Sequence, residues 1–195
     1  MTKTRLEAFS DAVIAIIMTV MVLELRTPAG EHWSALNPLV GKLLVYALSF
    51  VFLAIYWNNH HHLIHTVERV NGKILWANMH LLFWLSLTPF ATAWMGEHFA
   101  STPAAAYGIV LLLSAIAYYI LQGRILATHG PSARLKEALG NDIKGKMSPV
   151  CYAIAIPLAY VSPWIAVALY IFVALIWLVP DKRIEALYAE AESAE

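Results

Sequence analysis

The chain has 195 residues, of which 60% are hydrophobic and 13% are charged. A soluble domain carries about a quarter charged residues, and a water-soluble fold of this length could not bury so much apolar surface. Lipid must therefore be the solvent around much of the chain. The net charge is zero, which argues against a nucleic-acid partner. The single cysteine, Cys151, excludes a disulfide framework and a cysteine-based metal site.

The first apolar run, Ala12 to Leu23, follows two basic residues, as a secretory signal does. Ser10 and Asp11 interrupt the approach to this run, and no A-x-A cleavage site follows it. We therefore expect a retained transmembrane helix at the start of the chain.

Six segments have the length and apolarity of transmembrane helices. They cover residues 5–25, 38–60, 74–95, 103–125, 148–161 and 163–179. A hydroxyl residue followed by proline is typical of a helix start, and this pair occurs at Thr102-Pro103, Ser148-Pro149 and Ser162-Pro163. Pro157 is expected to bend the fifth helix. The sequence thus predicts an all-α membrane protein of six transmembrane helices, forming a single unit over residues 1–195.

The distribution of lysine and arginine predicts the orientation in the membrane. With the N-terminus in the cytoplasm, eleven basic residues fall on the cytoplasmic side, and only Arg26 and Lys42 fall on the other side. The eleven are Lys3, Arg5, Arg69, Lys73, Arg124, Arg134, Lys136, Lys144, Lys146, Lys182 and Arg183. Both termini are therefore expected in the cytoplasm. A short amphipathic helix is predicted over residues 132–139, and a solvated or frayed helix from Asp181 onward.

The first predicted helix is unusually polar. Its polar residues are Arg5, Glu7, Ser10, Asp11, Thr19 and Glu24. The stretch between Asp11 and Glu24, which is apolar apart from Thr19, has twelve residues and is about 18 Å long at 1.5 Å per residue, whereas the hydrocarbon core is about 30 Å thick. We therefore expect Asp11 to face protein or water rather than lipid. Ser10 and Asp11 either hold helices together or lie on an ion path.

The start of this helix resembles the R-x-x-x-F-S-D signature of the transmembrane protein 175 family of potassium channels, through Arg5, Phe9, Ser10 and Asp11. Two later runs resemble the prokaryotic branch of that family: Tyr56-Trp57 with His60-His61, and Asn78 with Leu87-Thr88-Pro89-Phe90. The resemblance covers essentially the whole chain. It implies a homotetramer in the cell membrane, in which the first helix of each subunit lines a central pore for potassium ions.

The resemblance also implies which residues form the constriction of the pore. Ile16 is the leading position, and Val20 and Leu23 form the next layers. Thr19 corresponds to a hydroxyl position associated with selectivity in the family. Apolar constrictions of this kind gate by dewetting, and potassium sheds water more cheaply than sodium. Val20 is smaller than the leucine of many bacterial members, so its ring is expected to be wider.

Glu24 follows Leu23 at the predicted extracytoplasmic end of the first helix. Two interpretations remain open for this carboxylate. It either forms an acidic ring that concentrates cations at the pore mouth or is an ordinary interfacial charge.

Four histidines, His60, His61, His62 and His65, cluster near the end of the second predicted helix. One or two of their imidazoles are expected to form hydrogen bonds with Asp11, Ser10 or Asn78. His61 and His65 have a spacing that can share a metal ion, but Glu68 is the only potential further ligand nearby. We therefore predict no metal site. A role in sensing cytoplasmic pH remains open.

No Ser-His-Asp arrangement, phosphate-binding loop or catalytic metal motif is present in the sequence, so we expect neither an enzyme nor a cofactor. The favoured function is a potassium-favouring cation channel. The alternative is a small ion-coupled secondary transporter, which would need broken helices that meet at the membrane midplane. A non-conducting scaffold is a third possibility.

Overall fold

The computed structural model describes residues 2–67, 69–128 and 143–178, and these are helical without any β-strand. The α-helices are α1 (Lys3–Leu23), α2 (Val40–His65), α3 (Gly72–Ser86), α4 (Thr88–Glu97), α5 (Ser101–Leu126), α6 (Ile143–Leu158) and α7 (Pro163–Leu178). A 3-10 helix, Trp33–Leu39, leads into α2. The amphipathic helix predicted over 132–139 and the helix predicted from Asp181 lie outside the described residues.

Several helical segments have the length and apolarity needed to cross a membrane. Among the described residues there are four: Lys3–Leu23, Trp33–His65, Gly72–Glu97 and Ser101–Leu126. Pro163–Leu178 is a shorter apolar helix. Each of the six predicted segments lies largely on a helix or helix pair, which confirms the all-α, multi-pass membrane architecture.

The third predicted segment is divided into α3 and α4 at Leu87. Pro89 lies in the first turn of α4, where its missing N–H and its ring interrupt the regular i to i−4 hydrogen bonding. The break is local, because Leu87 keeps helical dihedral angles, with φ −85° and ψ −8°. The two helices therefore continue one crossing with a change in the hydrogen-bond pattern.

The predicted start of the fifth segment at Ser148-Pro149 is wrong. Helix α6 begins at Ile143, and both residues lie inside it. The Ser148 hydroxyl does not cap the helix: it donates to the Lys144 carbonyl at 2.8 Å and accepts from Trp177 Nε1 at 2.8 Å. Packing against α7 has thus overridden a local capping signal.

The other two hydroxyl-proline pairs lie at helix starts. Pro163 is the first residue of α7, as predicted. Helix α5 begins at Ser101, with Pro103 in its first turn and no side-chain cap. Pro157 is the second-last residue of α6, so it marks the end of that helix rather than a bend within it.

The helices pack around two apolar clusters. One joins α1, α2, α3 and α5, and the other joins α2, α4, α5, α6 and α7. Helix α1 contributes one face to the first cluster. Its buried residues are Leu6, Ser10, Ile14, Ile17 and Met21, at the three-to-four-residue spacing of a single helix face. Among the described residues, the opposite side of α1 stays exposed, at Ile16 and Leu23 for example.

Candidate functional site on the first helix

The start of α1 is fixed by a local cap. Thr2 has an extended backbone conformation, and its hydroxyl accepts a hydrogen bond from the Arg5 N–H at 3.3 Å. An N-cap threonine of this type satisfies a donor that the helix itself leaves unpaired. The cap places the motif residues from Arg5 to Asp11 in the first turns of α1.

Three buried polar side chains connect α1, α2 and α3. Asn78 Nδ2 donates to the Ser10 hydroxyl at 2.9 Å, and Ser10 in turn donates to the Leu6 carbonyl at 2.9 Å. The side-chain oxygen of Asn78 lies 2.7 Å from His60 Nε2. Because an amide oxygen only accepts, His60 must donate from Nε2. Ser10, Asn78 and His60 are all inaccessible to solvent, so each depends on the others for its hydrogen bonds.

A second contact to α2 involves the motif carboxylate. Trp57 Nε1 donates to Asp11 Oδ1 at 3.0 Å. The bond is charge-assisted when Asp11 is ionised. Sequence reasoning gave Trp57 no role of its own, although it belongs to one of the runs that carry the resemblance. Its indole donor in an apolar helix was the available signal, because a buried or lipid-facing indole N–H usually finds an acceptor.

The four predicted constriction residues lie on the unpacked side of α1. Ile16 is 60% exposed and Leu23 is 79% exposed, and Thr19 and Val20 are exposed as well. Phe9 continues this exposed side toward the start of the helix. We call the side formed by Phe9, Ile16, Thr19, Val20 and Leu23 the open face of α1.

The Thr19 hydroxyl has a defined orientation on the open face. Its Oγ1 donates to two backbone carbonyl oxygens of the same helix, that of Ile16 at 2.9 Å and that of Ala15 at 3.1 Å. The hydroxyl proton is therefore engaged by the backbone. The oxygen lone pairs remain free to accept a hydrogen bond from water or to contact a cation.

Charged residues stand at the two ends of α1. Arg5 is exposed in the first turn, and Glu24 is the exposed C-cap residue. Among the described residues, neither side chain forms a hydrogen bond or ion pair. Both charged residues are therefore exposed at the ends of the helix.

His61 does not join the buried hydrogen-bond chain of Ser10, Asn78 and His60. Its Nδ1 lies 3.1 Å from Glu7 Oε1, and His65 Nε2 lies 3.4 Å from the same oxygen. The sequence offered Glu68 as the nearby carboxylate, whereas the structure brings in Glu7 from α1. Only the packing of α1 against α2 could reveal this partner.

Comparisons with known proteins give a consistent result. Residues 5–89 match the family model described as endosomal/lysosomal potassium channel TMEM175. A potassium channel of Chryseobacterium is 55% identical over 95% of this chain and 97% of its own length. A potassium channel of Streptomyces collinus is 28% identical over 88% of this chain and 89% of its own length.

A solved structure has the same fold. It is the crystal structure of a lysosomal potassium-selective channel TMEM175 homologue from Chamaesiphon minutus. The two structures superpose with a TM-score of 0.78 at 27% identity, over 91% of this chain and 96% of the other. The helical arrangement described above is therefore one that a channel protein adopts.

The buried hydrogen-bond chain can be tested with a matched pair of serine substitutions. Ser10→Ala leaves the buried Asn78 amide without its acceptor, so we expect a loss of about 1–3 kcal/mol in the free energy of unfolding. Ser114 on α5 is equally buried, but its hydroxyl has no hydrogen-bond partner among the described residues. Ser114→Ala should therefore be neutral or slightly stabilising. Thermal unfolding in detergent, followed by tryptophan fluorescence, compares the two, and equal destabilisation would contradict the importance of the chain.

Proposed function

This chain belongs to the TMEM175 family, and on that premise we propose that it forms a potassium-favouring cation channel. The family model and the relatives compared above are named as ion channels, not as enzymes. The single observation that carries the proposal within this chain is the open face of α1. It presents Ile16, Val20 and Leu23 away from the subunit core, on the helix that also carries the motif carboxylate.

The polarity of α1 supports a pore rather than a lipid contact for the open face. Its apolar stretch is about 18 Å long, which is shorter than the hydrocarbon core of about 30 Å. Asp11 directly precedes this stretch, is only half-buried and accepts a hydrogen bond from Trp57. A charged group at this depth is stabilised by water or protein and destabilised by lipid.

One subunit supplies only one wall of such a pore. The open face needs further copies of the chain to enclose a path for ions, and the family resemblance implies four. In a homotetramer, each layer of the constriction would contain four identical side chains, from Ile16, Val20 and Leu23 in turn. This arrangement accounts for the apolar residues of α1 that stay exposed in the described part of the chain.

The proposed gate acts through hydration. A ring of isoleucine side chains disfavours water in the narrowest part of the pore, so an ion must lose part of its hydration shell to pass. Potassium holds its water less strongly than sodium and loses it at lower cost. Thr19 stands one turn from the Ile16 layer, where its lone pairs can replace some of the lost water.

The charge distribution supports a cytoplasmic location for the start of α1. Lys3 Nζ donates to the His65 carbonyl at 2.6 Å, which places the start of α1 beside the end of α2. Lys73 and Arg124 line one cavity, so the start of α3 and the end of α5 also meet. Basic residues enriched at one end of a helix bundle favour the cytoplasmic side. Both termini would then lie in the cytoplasm, and the channel itself would lie in the plasma membrane.

In this orientation, Glu24 lies at the extracytoplasmic mouth of the pore. Four copies of this exposed carboxylate would form an acidic ring beside the Leu23 layer. Such a ring raises the local concentration of cations and disfavours anions. It therefore contributes to charge selectivity, while the apolar layers discriminate between cations.

A secondary transporter is less well supported by the helices. Transporters of this class bind their substrates at unwound helix segments near the membrane midplane. The break between α3 and α4 keeps helical dihedral angles at Leu87, so it offers no such unwound segment. We therefore retain the channel as the proposed function.

The channel is tested by recording purified protein in planar bilayers with potassium on one side and sodium on the other. We expect discrete openings with a reversal potential displaced toward the potassium equilibrium potential, by about 59 mV for each tenfold preference for potassium. Empty detergent extracts provide the control. Saturable ion flux without unitary openings would contradict a channel.

The constriction is tested by placing a polar side chain on the open face. Ile16→Asn should wet the narrowest layer, so we expect a larger current and a reversal potential that moves toward zero under the same gradient. Val22→Asn is the matched control. Val22 is also exposed on α1, at 45%. It lies six residues from Ile16, so at about 100° per residue its side chain points about 120° away from Ile16 around the helix axis. Unchanged selectivity in Ile16→Asn, or an equal change in both variants, would remove Ile16 from the filter.

A further inference from the structure

A compact group of potential metal ligands lies where the start of α1 meets the end of α2. It consists of Glu7 from α1 and His61 and His65 from α2, and one ligand atom from each lies within 4.8 Å of the other two. The two histidines are one turn apart, so their rings stand on the same side of α2. The ring centroids are 4.7 Å apart. This group is distinct from the open face of α1.

The distances already approach those of a coordination site. With metal–ligand bonds of 2.0–2.1 Å, neighbouring ligand atoms of a tetrahedral zinc ion are about 3.3 Å apart. Glu7 Oε1 lies 3.1 Å from His61 Nδ1 and 3.4 Å from His65 Nε2. One ligand atom of each residue lies within 4.8 Å of the other two, so these atoms must approach one another by at most about 1.5 Å to reach the tetrahedral spacing.

The chemistry of the ligands selects a class of metal. Two imidazoles and one carboxylate suit divalent transition metals such as zinc, whereas magnesium and calcium prefer ligand sets made of oxygen atoms. The three side chains are partly exposed, so an ion can enter from water. A water molecule can then occupy the fourth position, as at zinc sites with three protein ligands.

The surroundings hold the ligands in place. Lys3 Nζ is engaged by the His65 carbonyl at 2.6 Å, which anchors the start of α1 against the last turn of α2. The ring of Trp57 packs near His61, with centroids 6.4 Å apart. Trp57 is itself fixed through its bond to Asp11. The helices that carry Glu7 and the two histidines are therefore joined independently of any ion.

We infer that Glu7, His61 and His65 form a binding site for a divalent transition metal ion, with zinc as the reference ion. The bound ion joins α1 to α2 at the end of the bundle where α1 begins. The inference does not rest on ion conduction, because binding can be measured in the absence of a current. It replaces the sequence-based prediction that no metal binds, which had not included Glu7 as a ligand.

Isothermal titration of the full-length purified protein with zinc chloride, after treatment with a chelator, tests the site. We expect one saturable site per chain. Glu7→Gln should weaken zinc binding by roughly 100-fold. Removal of an outer-shell partner of a metal site already costs up to about 100-fold in affinity, and Glu7 is a direct ligand in this proposal. His61→Gln and His65→Gln should have a similar effect. Magnesium chloride in excess should not compete.

The matched control is His62→Gln, which removes an adjacent histidine that is not part of the three-ligand group. This variant should keep the affinity of the unmodified chain. A shift in melting temperature gives a second readout that also reports folding: zinc should raise it in the unmodified chain and in His62→Gln, but not in Glu7→Gln. The inference is overturned if the unmodified chain shows no saturable zinc binding, or if His62→Gln loses as much affinity as Glu7→Gln. The first outcome would leave Glu7 and the histidines as ion-pair partners only, without affecting the channel proposal.

Discussion

The hydrogen-bond chain from Ser10 through Asn78 to His60 sets the rotation of α1 against the rest of the subunit. All three side chains are inaccessible to solvent, and a buried polar group without a partner costs about 1–3 kcal/mol. Apolar packing alone would define this rotation weakly, because between Asp11 and Glu24 every side of α1 carries apolar residues and Thr19 is the one polar residue. The directional bonds to Asn78 and His60 remove that ambiguity. A rotation of α1 by one residue would leave Asn78 and His60 without their network.

The polar contacts of α1 share one side of the helix, and this determines what remains on the other. Glu7 contacts His61 and His65, Ser10 contacts Asn78, and Asp11 contacts Trp57. These contacts attach the first half of α1 to α2 and α3. The second half is left with Ile16, Thr19, Val20 and Leu23 on the open face. The same helix thus carries the anchoring residues of the subunit and, in the proposed channel, the lining of the pore.

Sequence reasoning predicted the helices well and their ends less well. Hydropathy is averaged over about twenty residues, which is the length of a membrane-spanning helix, so it identifies the membrane-crossing segments directly. Ser148-Pro149 was misleading because a hydroxyl-proline pair is a local signal, and the contact of Ser148 with Trp177 of α7 is not local. Pro89 lies where the third predicted segment divides into α3 and α4, although hydropathy predicts that segment as one helix.

The residues of the candidate site were also only partly predictable from the sequence. Periodicity could not have distinguished Ile16 from Ile17, since both belong to a uniformly apolar run. The family resemblance selected Ile16, and the structure places it on the open face while Ile17 is buried. The proximity of Glu7 to His61 and His65 had no sequence signal at all. It depends on how α1 packs against α2, which only the folded chain specifies.

The proposed pore-lining role of α1 is tested most directly by the accessibility of its open face during conduction. Cys151→Ser removes the native thiol, and Ile16→Cys and Val22→Cys are then compared in bilayers exposed to a charged, membrane-impermeant thiol reagent. If the open face lines the pore, modification of Ile16→Cys blocks the potassium current, and Val22→Cys channels are unaffected. Undiminished current through Ile16→Cys channels that are fully labelled would contradict a pore lined by α1.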